Sequence, residues 1–147
     1  TVSGFIQADS ITSNIVSVHY PGLNVVSTNG FIGLGTNTPV SAVDMNGSVS
    51  QSIISVDGSS IPSGIFNLDN SHYTVICNAN ANMTINLPDA TTCRGRNYII
   101  KRNNNAGFNT VTIQAFGSQT IDISNTQSVG LLQVYRLQSD GSNWWII

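Results

Sequence analysis

The sequence predicts an all-β protein, and two observations carry that prediction: the composition and the grouping of the apolar residues. Only 8 % of the 147 residues are charged, Glu is absent, and Lys101 is the single lysine. The chain is instead rich in Asn, Ser, Thr and Gly, which favour turns and disfavour helix interiors. The apolar residues come in short clusters that never maintain a helical stripe over three turns. We therefore expect short strands joined by tight turns.

The first expected element is a β-rich neck at residues 1–62. Turn-forming residues at positions 20–22, 28–30, 46–47 and 57–58 separate its apolar clusters and predict strands of three to six residues. About sixty residues of such strands bury too little apolar area to offset chain entropy in a monomer. We therefore expect three copies to wind together, with Ile, Val and Leu pointing to a shared three-fold axis. The alternative is one half of a monomeric sandwich.

The second expected element is a β-sandwich head at residues 63–147. Its strands are longer and alternate apolar and polar residues with a period of two. Their spacing, roughly 8–12 residues for a strand and its turn, favours an antiparallel sandwich or jelly roll. The seven expected strands are residues 72–77, 83–87, 97–102, 110–114, 119–123, 129–137 and 144–147.

The last residues predict a hairpin. Asp140 and Gly141 favour a tight turn with positive φ, which places the last strand beside residues 134–137. Trp144 and Trp145 are adjacent in that strand, and adjacent side chains of a strand point to opposite faces. At most one of the two rings can therefore fill the core of the subunit, and the other meets solvent, a neighbouring subunit or a ligand.

Two stretches resemble known fibre proteins. Residues 33–39 (GLGTNTP) and 43–49 (VDMNGSV) resemble the shaft-to-tip signature of trimeric phage and viral tail fibres and bacterial trimeric adhesins. Residues 73–147 resemble the head at the C-terminus of such fibres. Ile123 departs from that pattern, because relatives commonly have Gly there. The motifs that carry the second resemblance are LP at 87–88, TID at 120–122, SDG at 139–141 and Trp144.

The resemblance implies an intertwined homotrimer in which a short neck carries a TNF-like jelly-roll head. It also implies an extracellular location, on a virion tail fibre or a bacterial cell surface, and a role in host attachment. Three heads on one stalk give avidity, so a weak site in each subunit can hold a particle when several sites engage together.

The acidic residues argue against catalysis. All seven are Asp, and Asp44, Asp57, Asp89 and Asp140 sit in expected turns, where Asp bonds its own backbone. A glycosidase needs two carboxylates roughly 5–9.5 Å apart across a groove, and fibre enzymes of that kind are generally built on a much longer β-helix. No Ser-His-Asp, His-Glu-x-x-His or phosphate-loop pattern is present. We expect no enzyme.

Cysteine and histidine usage predicts no metal site, and no motif calls for a cofactor. His19 and His72 fall in no ligand spacing around Cys77 and Cys93. The sequence leaves open whether these cysteines are buried free thiols or a disulfide, and it favours the thiols.

Charge and hydropathy exclude two classes of partner. A net charge of −2 supplies no basic field for nucleic acid or anionic lipid. The apolar runs are far shorter than the roughly 20 residues needed to cross a bilayer. We expect neither nucleic-acid binding nor membrane insertion.

The candidate ligand-binding residues lie in the head. Four of the five cations fall within nine positions, from Arg94 to Arg102 and including Lys101, and Arg can bind carboxylate or phosphate groups of a glycan bidentately. The alternative is a solvated turn or pairing with Asp of a neighbouring subunit. An amide-rich loop with one aromatic residue follows. The candidate residues are Arg94, Arg96, Arg102, Asn103, Asn104, Asn105, Phe108 and Trp145.

These observations predict the receptor-binding tip of a trimeric attachment fibre, which recognises a host surface glycan or protein receptor without catalysis. The sequence leaves three alternatives: a structural fibre cap or capsid decoration, a monomeric lectin-like carbohydrate-binding domain, and a polysaccharide hydrolase.

Overall fold

The protein is described by a computed structural model over residues 16–20, 23–28, 31–36, 38–103 and 108–147. Within these ranges the only helical segments are three 3₁₀ turns, at Gly58–Ser60, Pro62–Gly64 and Ala90–Thr92, so the all-β class is confirmed. The described part contains no helix long and apolar enough to span a membrane. The strands are β1 Val16–Tyr20, β2 Leu23–Thr28, β3 Phe31–Leu34, β4 Val43–Met45, β5 Ile53–Asp57, β6 Ile65–Asn67, β7 Thr74–Asn78, β8 Met83–Asn86, β9 Asn97–Arg102, β10 Val111–Gln114, β11 Thr126–Val129, β12 Val134–Ser139 and β13 Trp144–Ile146.

The residues up to Ser50 form one unit with a sheet of order β1-β2-β3-β4. The pairs β1/β2 and β2/β3 are antiparallel, and β3/β4 is parallel. These strands have three to six residues, as predicted. The expected turns centred on 21–22 and 29–30 lie outside the described residues.

The GLGTNTP stretch begins the connection that brings β4 beside β3. Gly35 has a φ of 74°, which a residue without a Cβ adopts readily. Asn46 then donates its main-chain N–H to the carbonyl oxygen of Leu34, and Ile32 donates to that of Ala42, each at 2.9 Å. The motif therefore has a local structural role as a parallel strand connection.

Residues 51–147 form the second unit, which contains two sheets. One sheet has the order β11-β10-β8-β6 and the other the order β13-β12-β9-β7-β5. Successive strands from β5 to β10 alternate between the sheets, and within each sheet they pair in parallel: β5 with β7 and β7 with β9 in one, β6 with β8 and β8 with β10 in the other. They make three stacked coils, β5/β6, β7/β8 and β9/β10. The antiparallel strands β11, β12 and β13 complete the unit.

These parallel coils correct the prediction of an antiparallel jelly roll. Four of the seven strand pairings in this unit are parallel, whereas a jelly roll is built from antiparallel Greek keys. Alternation of apolar and polar residues indicates which face of the sheet a residue occupies. It does not indicate whether the neighbouring strand runs parallel or antiparallel. The parallel register places like residues side by side: Thr84 meets Thr112, and Ile85 meets Ile113.

The core lies between the two sheets and buries the inward residue of each alternating pair. The tilted rings of Tyr98 and Trp144 contribute its largest fully buried side chains, with centroids 5.4 Å apart. Two in-register rows fill its centre, one of Ile54, Val75 and Ile100 and the other of Phe66, Ile85 and Ile113.

The hairpin prediction is confirmed. The strands β12 and β13 pair antiparallel, and Gly141 between them has a φ of 93°. Trp144 is fully buried and Trp145 is exposed over 45 % of its surface. The two rings therefore occupy opposite faces, as expected from their adjacency.

Two of the seven predicted head strands differ from the structure. Residues 119–123 form no strand, and Ile121 makes only isolated bridges there. The stretch predicted at 129–137 is interrupted because Gln133 donates its main-chain N–H to the Gly130 carbonyl oxygen at 3.0 Å, closing a turn between β11 and β12. Leu132 in that turn has a φ of 58°, a left-handed conformation that a strand does not contain.

The cysteines are both buried and unpaired, so the free-thiol alternative is confirmed. Cys77 points into the core from β7, where burial raises the pKa of its thiol to about 12.

The division between the units differs from the predicted boundary at residues 62 and 63. The first unit ends at Ser50 and the second begins at Gln51. The strand β5 pairs with β7 and so belongs to the second unit.

Gly58, directly after β5, makes a close approach to the next coil. A Cβ placed there would lie 2.5 Å from the main-chain oxygen of Ala81, which cannot move without shifting the turn after β7. We expect Gly58→Ala to lower the free energy of unfolding by about 1–3 kcal/mol, the usual cost of overpacking. Urea unfolding followed by tryptophan fluorescence measures the change.

Gly130→Ala is the matched control for that measurement. Its Cβ would also meet an atom at 2.5 Å, but that atom is the end of the flexible Gln133 side chain. The Gly58 variant should therefore be the less stable of the two, and equal stabilities would contradict the close approach.

Candidate functional site

The structure gives each arginine of the predicted cationic patch a separate set of neighbours. Arg94 lies against Gly141, where a Cβ would come within 3.3 Å of its side chain. The pKa of Arg96 is raised, chiefly by its interaction with the hydroxyl of Tyr98. These two arginines precede β9, whereas Arg102 is its last residue. The patch that is continuous in sequence is therefore divided between two ends of a strand.

Arg102 has a structural role at its end of β9. Its Nη2 donates to the carbonyl oxygen of Asn109 at 2.7 Å, and its Nη1 donates to that of Val129 at 3.4 Å. The guanidinium thus joins the segment before β10 to the end of β11.

The amide-rich loop is described only at its ends. Asn103 donates its Nδ2 to Asn78 Oδ1 at 3.0 Å, which ties it to the neighbouring coil. Phe108 is fully exposed. Asn104 and Asn105 lie outside the described residues. The described residue Asn103 and Arg94 lie at opposite ends of β9, so these two predicted residues do not share one site.

Trp145 belongs to a small group at the hairpin with Asp140 and Arg94. Its Nε1 donates to Asp140 Oδ2 at 2.6 Å. The pKa of Asp140 is lowered first by the hydrogen bond from the Asn143 main chain, then by Trp145, and in smaller part by Arg94. The carboxylate is therefore already engaged in holding the hairpin.

A cleft that the sequence did not indicate opens at the end of the sheet β11-β10-β8-β6. It has a volume of about 430 Å³. Asn67, Asn86 and Gln114 line it side by side, because β6, β8 and β10 pair in parallel register at these positions. Phe116 and Pro88 contribute apolar surface to the same cleft.

The amide groups of this row are held in place by one another and by the next loop. Asn86 donates its Nδ2 to Asn67 Oδ1 at 2.9 Å. Gln114 donates its Nε2 to Asn125 Oδ1 and to the Ala115 carbonyl oxygen, the latter at 3.3 Å. We call Asn67, Asn86 and Gln114 the amide row.

Asp89 is the one carboxylate among the residues that line the cleft. Its Oδ1 accepts hydrogen bonds from the Thr91 main chain at 2.9 Å, the Thr91 hydroxyl at 2.8 Å and Gln119 Nε2 at 2.6 Å. The Thr91 bonds are the main reason that the pKa of Asp89 is lowered, and Gln119 adds to the effect. Asp89 therefore stays ionised and fixed at the rim.

Comparison with known proteins gives no relative. No protein family, no curated protein and no solved structure matches the chain. The site must therefore be judged on its own chemistry. The described residues contain no group of three or more His, Cys, Asp or Glu side chains placed to hold a metal ion.

The outer surface of the five-stranded sheet is a second feature of interest. It carries apolar side chains on neighbouring strands, which we call the apolar face. Lys101 and Arg136 also point outward there, because Ile100 and Leu137 beside them point into the core. The apolar face consists of Ile53, Ile76, Ile99, Val134, Trp145 and Ile147.

A repeated pattern in the sequence signals the amide row. MTIN at residues 83–86 and VTIQ at 111–114 share the order apolar, Thr, Ile, amide, and the structure stacks them in register. An internal repeat of this kind indicates stacked coils. The amides then fall on the outward side of two neighbouring strands.

Proposed function

We propose that this chain is the receptor-binding tip of a homotrimeric attachment fibre, which holds a glycan on a host cell surface without turnover. The observation that carries this proposal is the apolar face. Val134 and Trp145 on it are exposed over 49 % and 45 % of their surfaces, in positions that alternation places away from the core. The resemblance of residues 33–39 to a fibre shaft signature agrees with it.

The extent of the apolar face supports an interface between subunits. Five strands at about 4.8 Å spacing span roughly 20 Å, and the apolar side chains are spread across that width among Thr74, Lys101 and Arg136, the mixture of apolar and polar groups that subunit interfaces contain. Covering the apolar face in a trimer removes the apolar side chains from water.

The charges on the same surface favour a second copy of this chain as the occupant. Lys101 lies on the central strand β9 and Arg136 on the neighbouring β12, while Asp57, which also accepts hydrogen bonds from Ser59 and Asn80, lies at the end of the edge strand β5. Cations in one part of a surface and a carboxylate in another can pair across copies that are related by rotation. Heterologous contacts of this kind close into rings.

The proposed absence of turnover is supported by the carboxylates of the cleft. Hydrolysis of a glycosidic bond uses two carboxyl groups, whereas Asp89 is the one that lines the cleft. Its Oδ1 already accepts three hydrogen bonds from Thr91 and Gln119.

Light scattering after size exclusion tests the trimer. We expect a mass of three times 15.6 kDa, or 46.8 kDa. Val134→Asp places a carboxylate in the apolar face and should reduce the mass to that of one chain at micromolar concentration, because an unpaired charge is costly at an interface. Ile123→Asp makes the same type of change at an exposed residue in the turn before β11 and should leave the trimer intact.

A mass of 15.6 kDa for the unchanged chain would remove the fibre proposal and leave the monomeric lectin-like sandwich. A trimer that survives Val134→Asp would place the interface elsewhere.

A glycan array then tests receptor binding. The intact trimer should be retained, and the Val134→Asp chain should lose about 100-fold or more in apparent affinity, because multivalent engagement is lost. A trimer retained by no glycan would favour the structural cap over the receptor-binding tip.

A further inference from the structure

We infer that the cleft over the amide row binds a neutral saccharide through amide hydrogen bonds and contact with the Phe116 ring. This inference rests on the proposed function and names the site and ligand class within it. It moves the binding site away from the arginines and the Asn103 to Phe108 loop, which the sequence indicated.

The hydrogen-bonding capacity of the amide row fits hydroxyl groups. Asn86 donates its Nδ2 to Asn67 Oδ1, and no hydrogen bond in the described structure uses the Nδ2 of Asn67 or the Oδ1 of Asn86, both of which belong to residues that line the cleft. Gln114 uses its Nε2 on Asn125 and Ala115, and its Oε1 is a third open group. A sugar hydroxyl donates one bond and accepts others, so it can satisfy either kind of group.

The amide row is also rigid before a ligand arrives. Each amide sits on a strand that pairs in register with its neighbour, and parallel strands lie about 4.8 Å apart. Groups fixed in advance lose little side-chain entropy on binding. The row therefore presents polar groups at regular intervals across three strands.

Phe116 supplies the apolar part of the site. It lies two residues after the end of β10 and is exposed over 55 % of its surface, while Ala115 before it is buried. Binding sites for small molecules combine apolar and aromatic surface with a few placed polar groups. The C–H face of a pyranose can lie on this ring while its hydroxyls reach the amides.

The charge of the cleft favours a neutral ligand. No Lys, Arg or His lines it, and Asp89 at the rim is ionised. A sialic acid or phosphate group would meet that carboxylate with no cation to compensate. A neutral sugar meets no such repulsion.

The test is NMR titration of the full chain with methyl α-glucoside, methyl α-galactoside and N-acetylglucosamine, and with sialyllactose as the anionic comparison. With a neutral sugar, we expect the side-chain NH₂ signals of Asn67 and Asn86 to shift. Phe116→Ala should weaken the dissociation constant about tenfold, the loss of roughly 1.4 kcal/mol. Phe108→Ala removes a more exposed phenylalanine ring from the other loop and should change nothing.

The results separate this inference from the proposed function. Shifts at Asn103 and around Phe108, binding of sialyllactose alone, or no shift with any neutral sugar would overturn the saccharide cleft. A trimer that is retained on the glycan array equally with and without Phe116→Ala keeps the attachment proposal and removes the cleft. A monomer whose Asn67 and Asn86 signals shift with sugar keeps the cleft and removes the fibre.

Discussion

Replacing Trp144 with alanine is expected to lower the free energy of unfolding by about 3–5 kcal/mol, the range for removing a large buried aromatic side chain. Trp144 is fully buried and its ring lies 5.4 Å from that of Tyr98. Its Nε1 also donates to the Pro88 carbonyl oxygen at 3.3 Å. The variant therefore loses apolar burial and a ring contact, and it leaves a carbonyl without its donor.

Trp145→Ala is the matched control, since it removes the same side chain from the outer face of the same strand. We expect it to cost less than about 1 kcal/mol of folding stability. Both changes are made in the Val134→Asp background so that subunit association does not contribute. Urea unfolding followed by circular dichroism measures them, and similar losses for the two would contradict the assignment of Trp144 to the core.

Cys77 is expected to react with iodoacetamide at pH 8 about 1000-fold more slowly in the folded chain than in the unfolded chain. Only the thiolate reacts, and burial raises the pKa of this thiol from 9.0 to about 12. Mass spectrometry of the peptide that contains Cys77, sampled over time with and without urea, gives the two rates. Rates within tenfold of each other would show that the thiol is accessible in the folded protein.

The same pKa difference links folding to alkaline pH. Below pH 9 the thiol of Cys77 is protonated in both states, so its contribution to stability is fully present. As the pH rises from 9 towards 12, only the unfolded chain releases the proton and stability is lost, by about 1.4 kcal/mol per pH unit. Between pH 8 and 10.5 the unchanged protein should lose about 2 kcal/mol more than Cys77→Ala, and parallel losses would contradict this.

The class of fold could be predicted from sequence because it depends on local chemistry. Dense Asn, Ser, Thr and Gly excluded helices, and alternation located five of the seven predicted head strands near their observed positions. The direction of pairing could not be read from that alternation. It depends on which strands are neighbours. Here the indication of parallel pairing is that like residues lie side by side, Thr84 with Thr112 and Ile85 with Ile113.

The candidate site was harder to predict for a related reason. Arg94 and Arg102 are close in sequence, yet β9 extends by about 3.3 Å per residue and separates them by roughly 20 Å. Asn67, Asn86 and Gln114 are distant in sequence, yet strand register makes them neighbours. Closeness in sequence therefore suggested a site made of residues that the fold separates. It did not indicate the amide row, whose residues the fold brings together.

The two ends of the stack of coils are formed by different kinds of strand. The first coil leaves β5 and β6 as the edges of their sheets, whereas antiparallel β11 and β13 form the opposite edges. A duplication could therefore add a coil beside β5 and β6 without disturbing the antiparallel strands. Each such coil would lengthen the amide row by one position, about 4.8 Å. Under the proposed saccharide binding, gene duplication within this unit would set how many sugar units of a chain the cleft holds at once.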